Sequence, residues 1–197
     1  MTTKERTAST EAKIVYFKKP GESNTDEVLR IAREWADRVG IKTVVVASGR
    51  GFVACKAVDV FKGMKVVVVT AHTGWYHQPN VQHFTEESRR IVEGKGGIIV
   101  TAPHVFGGIS YAMQDKFETA MLGVDMGNTL RILGQGMKVV CEIAMAAADA
   151  GALRTDEEVI SIGGTNTGSD TAVVLKPVNV HDFFNLRIKE ILCKPRL

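Results

Sequence analysis

Short runs of consecutive apolar residues recur along the chain and constrain its fold more than any other feature. They fall at 44–46, 66–69, 98–100 and 159–162. Such runs are typical of strands buried on both faces, because a strand with one wet face would alternate apolar and polar residues. Segments with helical spacing lie between them. This alternation predicts an α/β three-layer sandwich, a mostly parallel sheet with helices on both faces.

The remaining segments complete the predicted topology. Helices are expected over 28–39, 53–62, 86–93, 110–121, 125–133 and 137–150. A first strand is expected at 13–17, a hairpin partner of the preceding strand at 172–175, and an edge strand in the tail at 186–193. We therefore expect a loose N-terminal arm over 1–12 and a single α/β domain over 13–197. A helical excursion at about 105–137 would cover a site or form a subunit contact.

Composition limits the classes of partner that we expect for this protein. The net charge is +3 and the basic residues are scattered, so the electrostatic footprint of a nucleic-acid binder is missing. The polar N-terminus does not resemble a signal peptide, and no apolar run reaches the length of a membrane span. The three cysteines stand far apart, which favours a reducing compartment. We expect a cytoplasmic protein with no nucleic-acid or membrane partner.

The loops after the predicted strands carry the candidate chemistry, because ligands of open α/β sheets bind at the carboxyl ends of strands. The loop after the second strand holds Ser48, Gly49, Arg50 and Gly51 and leads directly into a helix. Its glycines allow the backbone amides to curl inward, and Arg50 offers a charged fork, a combination that suits a phosphate. A glycine-rich turn with a solvated arginine is the alternative.

A second loop rich in glycine and hydroxyl groups follows the run at 159–162. It consists of Gly163, Gly164, Thr165, Asn166, Thr167, Gly168 and Ser169. Its position at the carboxyl end of a strand favours a second anion cradle, although a flexible hairpin loop has the same composition.

Histidines and aromatic residues follow two further strands. The first of these loops holds Thr70, His72, Thr73, Gly74 and Trp75, and the second begins with Thr101 and contains His104. If the strands are neighbours, His72 and His104 lie close together, where they could bind phosphate, act as general acid and base, or make structural hydrogen bonds. The spacing of His72, His77 and His83 matches no common zinc site, so no metal is expected.

Two stretches of the chain resemble the C-terminal domain of pyruvate kinase. They are 44–54 (VVVASGRGFVA), followed by 65–70 (KVVVVT), and the later series of an alanine-rich helix, a strand, the GGTNTGSD loop and a final strand at 171–177. The resemblance implies a regulatory domain whose phosphate-holding positions pass to Ser48–Gly51 and to Thr165–Ser169. This chain differs at Gly51 and Phe52, where the family has a second hydroxyl, and at Thr165 and Asn166, where it has Trp and Arg.

These observations leave three hypotheses open. The first is a binding or regulatory domain for a small phosphorylated ligand, a mononucleotide such as FMN or a sugar phosphate. The second is a small enzyme that acts on a phosphorylated substrate, with His72 or His104 as acid and base. The third is an assembly module without chemistry, which contributes its sheet edge or its helical excursion to a homo-oligomer. Apart from the choice among these hypotheses, we expect a homo-oligomer with two-fold symmetry, because the apolar edge strand in the tail would invite pairing if it stayed exposed. The catalytic barrel of pyruvate kinase is missing, so we do not expect its activity.

Overall fold

A computed structural model of the chain describes residues 9–197, apart from the side chain of Tyr76. Its strands form one seven-stranded sheet in the order β1-β7-β6-β5-β2-β3-β4. The strands are β1 (Val15–Phe17), β2 (Thr43–Ala47), β3 (Lys65–Thr70), β4 (Ile98–Thr101), β5 (Val159–Gly163), β6 (Thr171–Lys176) and β7 (Arg187–Pro195).

Among these strands only β6 runs against the others. It pairs antiparallel with β5 and with β7, while all the remaining neighbours pair parallel. The carboxyl ends of the other six strands therefore meet at one end of the sheet. This end receives the loops that follow β2, β3, β4 and β5.

The helices cover both faces of the sheet. They are α1 (Thr25–Val39), α2 (Phe52–Val60), α3 (Glu86–Gly94), α4 (Gly108–Phe117), α5 (Leu122–Arg131) and α6 (Gln135–Asp149). Buried side chains of α1, α2 and α3 share one core cluster, and those of α6 belong to the other. The predicted α/β class, with a mostly parallel sheet between helical layers, is confirmed.

Strand β2 shows why an unbroken apolar run is needed. Val44 and Val46 are fully buried in the cluster under α1 and α2, and Val45 is fully buried in the cluster under α6. Successive side chains of a strand point to opposite faces, so every position of a central strand enters one core or the other. The apolar run thus places β2 in the middle of the sheet, where its carboxyl end can contribute to a ligand-binding site.

The prediction that the tail forms an edge strand is wrong. Strand β7 lies inside the sheet, because Cys193 pairs with Ala172 of β6 on one side and with Val15 of β1 on the other. The edge is instead β1, a strand of three residues. An exposed β7 edge therefore cannot be the reason for self-association.

Only part of the predicted N-terminal arm lies within the described residues. Residues 9–12 have no regular secondary structure, and the rest of the predicted arm lies outside the described residues. The predicted helical excursion at about 105–137 contains α4, α5 and the beginning of α6. Helix α5 packs on α6, so the excursion forms an outer layer over that face.

Candidate functional site

A cavity of about 490 Å³ lies at the carboxyl ends of β2, β3, β4 and β5 and is walled on one side by α6. Predicted site residues from four separate loops line it: Ser48, Gly49, Arg50, Thr70, Trp75, His104, Gly164, Asn166, Thr167 and Gly168. Other predicted residues do not line it: Gly51, His72, Thr73, Gly74, Thr101, Gly163, Thr165 and Ser169. The parallel arrangement thus brings the first and second glycine-rich loops to one cavity.

The loop after β2 is shaped by the start of α2. The buried Ser48 hydroxyl accepts a hydrogen bond from the backbone N–H of Ala54 at 3.1 Å, so it caps the first turn of the helix. Phe52 and Val53 precede Ala54 in that turn, where N–H groups have no intrahelical acceptor. Arg50 is exposed at the cavity wall. The loop therefore places the N-terminus of α2 and the Arg50 guanidinium at the same cavity.

Gly51 has a structural role that differs from the one the sequence suggests. Its φ is +101°, in the left-handed region, and a Cβ built on it would lie 2.0 Å from the Ser88 Oγ of α3. The missing side chain thus allows α2 and α3 to approach each other. Its contribution to a phosphate cradle stays a prediction.

The loop after β5 is fastened by a buried carboxylate. Asp170 accepts hydrogen bonds from the backbone N–H of Thr165 at 3.1 Å and of Gly21 at 2.9 Å, and its other oxygen accepts one from the Thr171 hydroxyl. A Cβ on Gly164 would lie 2.6 Å from the carbonyl oxygen of Gly168. The loop is therefore tightly folded on itself and tied to the turn after β1.

The two predicted histidines do meet. The ring centroids of His72 and His104 lie 5.4 Å apart, and Trp75 stacks on His104 with centroids 4.3 Å apart and planes at 7°. Beneath them, the hydroxyls of Thr70 and Thr101 share a hydrogen bond of 2.8 Å that joins the ends of β3 and β4. Of this group, His104, Trp75 and Thr70 line the cavity.

The cavity wall contains an ion pair that was not predicted from the sequence. Lys138 and Glu142 stand one turn apart on α6, are 3% and 6% exposed, and form a hydrogen-bonded salt bridge. Glu142 also lies 3.5 Å from the His104 Nδ1 and accepts a hydrogen bond of 3.1 Å from the backbone N–H of Phe106. The available signal was two opposite charges spaced i, i+4 on an otherwise apolar helix.

The carboxyl group of Glu142 in this pair has a pKa well below its usual value. Burial by itself would raise the pKa of Glu142, but the hydrogen bond with His104 and the charge of Lys138 outweigh burial and hold the pKa at about 2. Glu142 is therefore ionised at neutral pH. Next to it on α6, burial raises the pKa of the Cys141 thiol to about 12, so this thiol is protonated and a poor nucleophile.

Within residues 9–197, no group of three or more His, Cys, Asp or Glu side chains is arranged to hold a metal ion. None of the helices in the described part of the chain is both long enough and apolar enough to cross a membrane.

The fold and cavity define an α/β protein with an open site at the carboxyl end of its sheet. No protein-family model matches the chain. Among solved structures it is similar to a pyruvate kinase from Cryptosporidium parvum, with 11% identity and a TM-score of 0.40. It is also similar to C. parvum pyruvate kinase in complex with ADP, with 13% identity and a TM-score of 0.37.

In both comparisons 78% of this chain is covered, but it spans only 22% and 23% of the length of those pyruvate kinases. The assignment to the regulatory domain of pyruvate kinase stays a prediction from the sequence.

Proposed function

We propose that the cavity binds a small phosphorylated ligand, a mononucleotide such as FMN or a sugar phosphate, and that the chain is a binding or regulatory module. The observation that carries the proposal is the convergence of both glycine-rich loops, Arg50 and the start of α2 on one cavity of about 490 Å³. This volume lies within the range typical of small-molecule sites.

The phosphate occupies the end of the cavity near Arg50. Helix N-termini favour anions because their free N–H groups and the helix dipole both present positive charge. Arg50 adds a guanidinium that can bind phosphate oxygens in a bidentate manner. Asn166 and Thr167, exposed on the facing loop, supply further hydrogen-bonding groups to the same end.

The rest of the ligand lies over the apolar part of the wall. Val69 of β3 and Ile143 and Ala146 of α6 line this part, and Trp75 contributes an aromatic ring. Such a combination of apolar surface with few polar groups is typical of sites that bury most of a small ligand.

Calorimetric titration with FMN, fructose 1,6-bisphosphate and inorganic phosphate tests the proposal. We expect Arg50→Ala to weaken binding of a phosphorylated compound about ten- to a hundredfold, since a hydrogen bond to a charged group contributes about 1.5 to 3 kcal/mol. Arg90→Ala is the matched control, because Arg90 is exposed on α3 and does not line the cavity. Equal affinities in wild type and Arg50→Ala, or no binding below millimolar, would contradict the proposal.

A second candidate function is catalysis on the bound phosphate ester. It is favoured by the contact of 3.5 Å between the His104 Nδ1 and Glu142, since a carboxylate that orients an imidazole is a common arrangement of a general base. Phosphorus NMR of FMN or fructose 1,6-bisphosphate incubated with the protein would reveal turnover. The catalytic role requires that His104→Gln stop turnover while the ligand still binds.

A third candidate is self-assembly into a homo-oligomer, which we propose to involve α4. Ile109, Met113 and Phe117 follow each other at intervals of four residues on this helix and are 78%, 40% and 58% exposed. Side chains at this spacing share one face of a helix. Pairing of this apolar face with that of a second copy would remove it from water, and sedimentation velocity at micromolar concentration measures the resulting mass.

A further inference from the structure

The ion pair in the cavity wall has more hydrogen-bonding capacity than the described protein groups use. A lysine ammonium has three N–H donors. Among the described residues, the only hydrogen bond of the Lys138 Nζ goes to Glu142, and Nζ also lies 5.6 Å from the ring centroid of Phe106. Lys138 lines the cavity while only 3% exposed. Its remaining donors therefore need an acceptor that the cavity contents supply.

The geometry does not favour the phosphate as this acceptor. Glu142 contacts the same Nζ through its Oε2, so an anion placed against Lys138 would also face a carboxylate. The low pKa of Glu142 keeps this carboxylate charged at neutral pH. The charges of Lys138 and Glu142 thus neutralise each other without a charged ligand. Arg50, by contrast, forms no salt bridge with any residue of 9–197. A neutral oxygen acceptor fits Lys138 better.

His104 supplies a hydrogen-bond acceptor beside the Lys138 donor. Its Nδ1 and the Lys138 Nζ both contact Glu142 Oε2. In the neutral imidazole whose Nδ1–H points to this oxygen, Nε2 carries the lone pair and accepts hydrogen bonds. Lys138 can thus donate a hydrogen bond and the neighbouring His104 Nε2 can accept one, and a ring amide offers the matching pair of a C=O and an adjacent N–H.

We propose that the Lys138–His104 side of the cavity recognises a ring amide, so that the ligand is a phosphomonoester that carries a heterocycle with a C=O next to an N–H. This inference rests on the proposed function and narrows it from phosphorylated molecules in general to keto-bearing mononucleotides. Stacking of Trp75 on His104 holds the imidazole plane in place for this contact.

Uridine 5′-monophosphate and cytidine 5′-monophosphate form a matched pair for the test. They have the same phosphate, sugar and ring size, but uridine has a C=O beside an N–H where cytidine has an amino group beside a bare nitrogen. We expect calorimetric titration to show at least about tenfold tighter binding of the uridine compound, because a charged hydrogen bond contributes about 1.5 kcal/mol or more.

The variant Lys138→Met/Glu142→Gln removes both charges together, so that neither is left buried without its partner. It should bind the two nucleotides with affinities within about twofold of each other, and circular dichroism checks that it is folded. Equal binding of both nucleotides to wild type would overturn the inference while leaving the phosphate site intact. A preference that persists undiminished in the double variant would overturn it as well. If neither nucleotide binds and inorganic phosphate does not bind either, the proposed function itself fails.

Discussion

Acid titration of the buried Lys138–Glu142 pair gives a quantitative prediction. A carboxyl whose pKa falls from 4.5 to about 2 on folding stabilises the folded state by about 3 kcal/mol where it is ionised. The folded pKa is the lower one, so this stabilisation is complete above about pH 5 and is lost as the pH falls towards 2. Wild type should therefore lose about 3 kcal/mol more than Lys138→Met/Glu142→Gln between pH 5 and pH 2.

Urea unfolding followed by circular dichroism, at intervals between pH 2 and pH 7, measures this difference. The other carboxylates are common to both proteins, so their contributions cancel when one curve is subtracted from the other. Glu87→Gln, which removes an exposed carboxylate of α3, is the control variant and is measured over the same pH range. A flat difference for the double variant would refute the assignment of a strongly stabilised carboxylate to Glu142.

Three further substitutions test separate parts of the structure. Gly51→Val should lower the melting temperature strongly, because its Cβ would meet Ser88 Oγ at 2.0 Å, and Ser88→Gly should restore part of the loss in calorimetry. No loss in Gly51→Val would contradict the close approach of α2 and α3. Ser48→Ala should cost about 1 kcal/mol in urea unfolding, since the N–H of Ala54 loses its acceptor, and an unchanged midpoint would argue against the cap. Ile109→Glu should lower the sedimentation coefficient if α4 pairs with a second copy, whereas an unchanged oligomer would exclude that face.

The arrangement of the loops could be predicted because the strands that precede them are unbroken apolar runs. Such runs belong in the interior of a parallel sheet, and parallel strands bring their carboxyl ends to one side. Ser48 and Gly164, far apart in the chain, therefore line one cavity, as the sequence indicated. The meeting of His72 and His104 follows in the same way from the pairing of β3 with β4.

The position of β7 could not be predicted from its own residues. Its imperfect alternation of apolar and polar residues suits an edge strand, but β1, at the other end of the chain, covers its outer side. A strand of three residues gives only a weak pattern, and long-range pairing of this kind leaves no local signal. The edge of a sheet is a property of the whole topology.

The Lys138–Glu142 pair in the cavity wall could not be predicted, for a different reason. The spacing of Lys138 and Glu142 shows that they share a face of α6, but almost all residues of this helix are buried, so periodicity does not distinguish the face towards the cavity from the others. The contact of Glu142 with His104, in the loop after β4, depends on how α6 packs against the sheet. This packing includes the close approach of Gly163 to Val139, where a Cβ would lie 2.9 Å from the Val139 Cγ1.

The central claim, that the cavity holds a phosphate at the start of α2, is tested most directly by following backbone amide signals in NMR during a titration with inorganic phosphate. We predict saturable shifts at Gly49, Arg50 and Phe52 and at Thr167 on the facing loop, and none at Gly63, which lines a smaller pocket formed by other residues. Arg50→Ala should weaken the response without moving it elsewhere. Shifts that do not saturate, or that leave the signals of Gly49 to Phe52 unchanged, would contradict the claim.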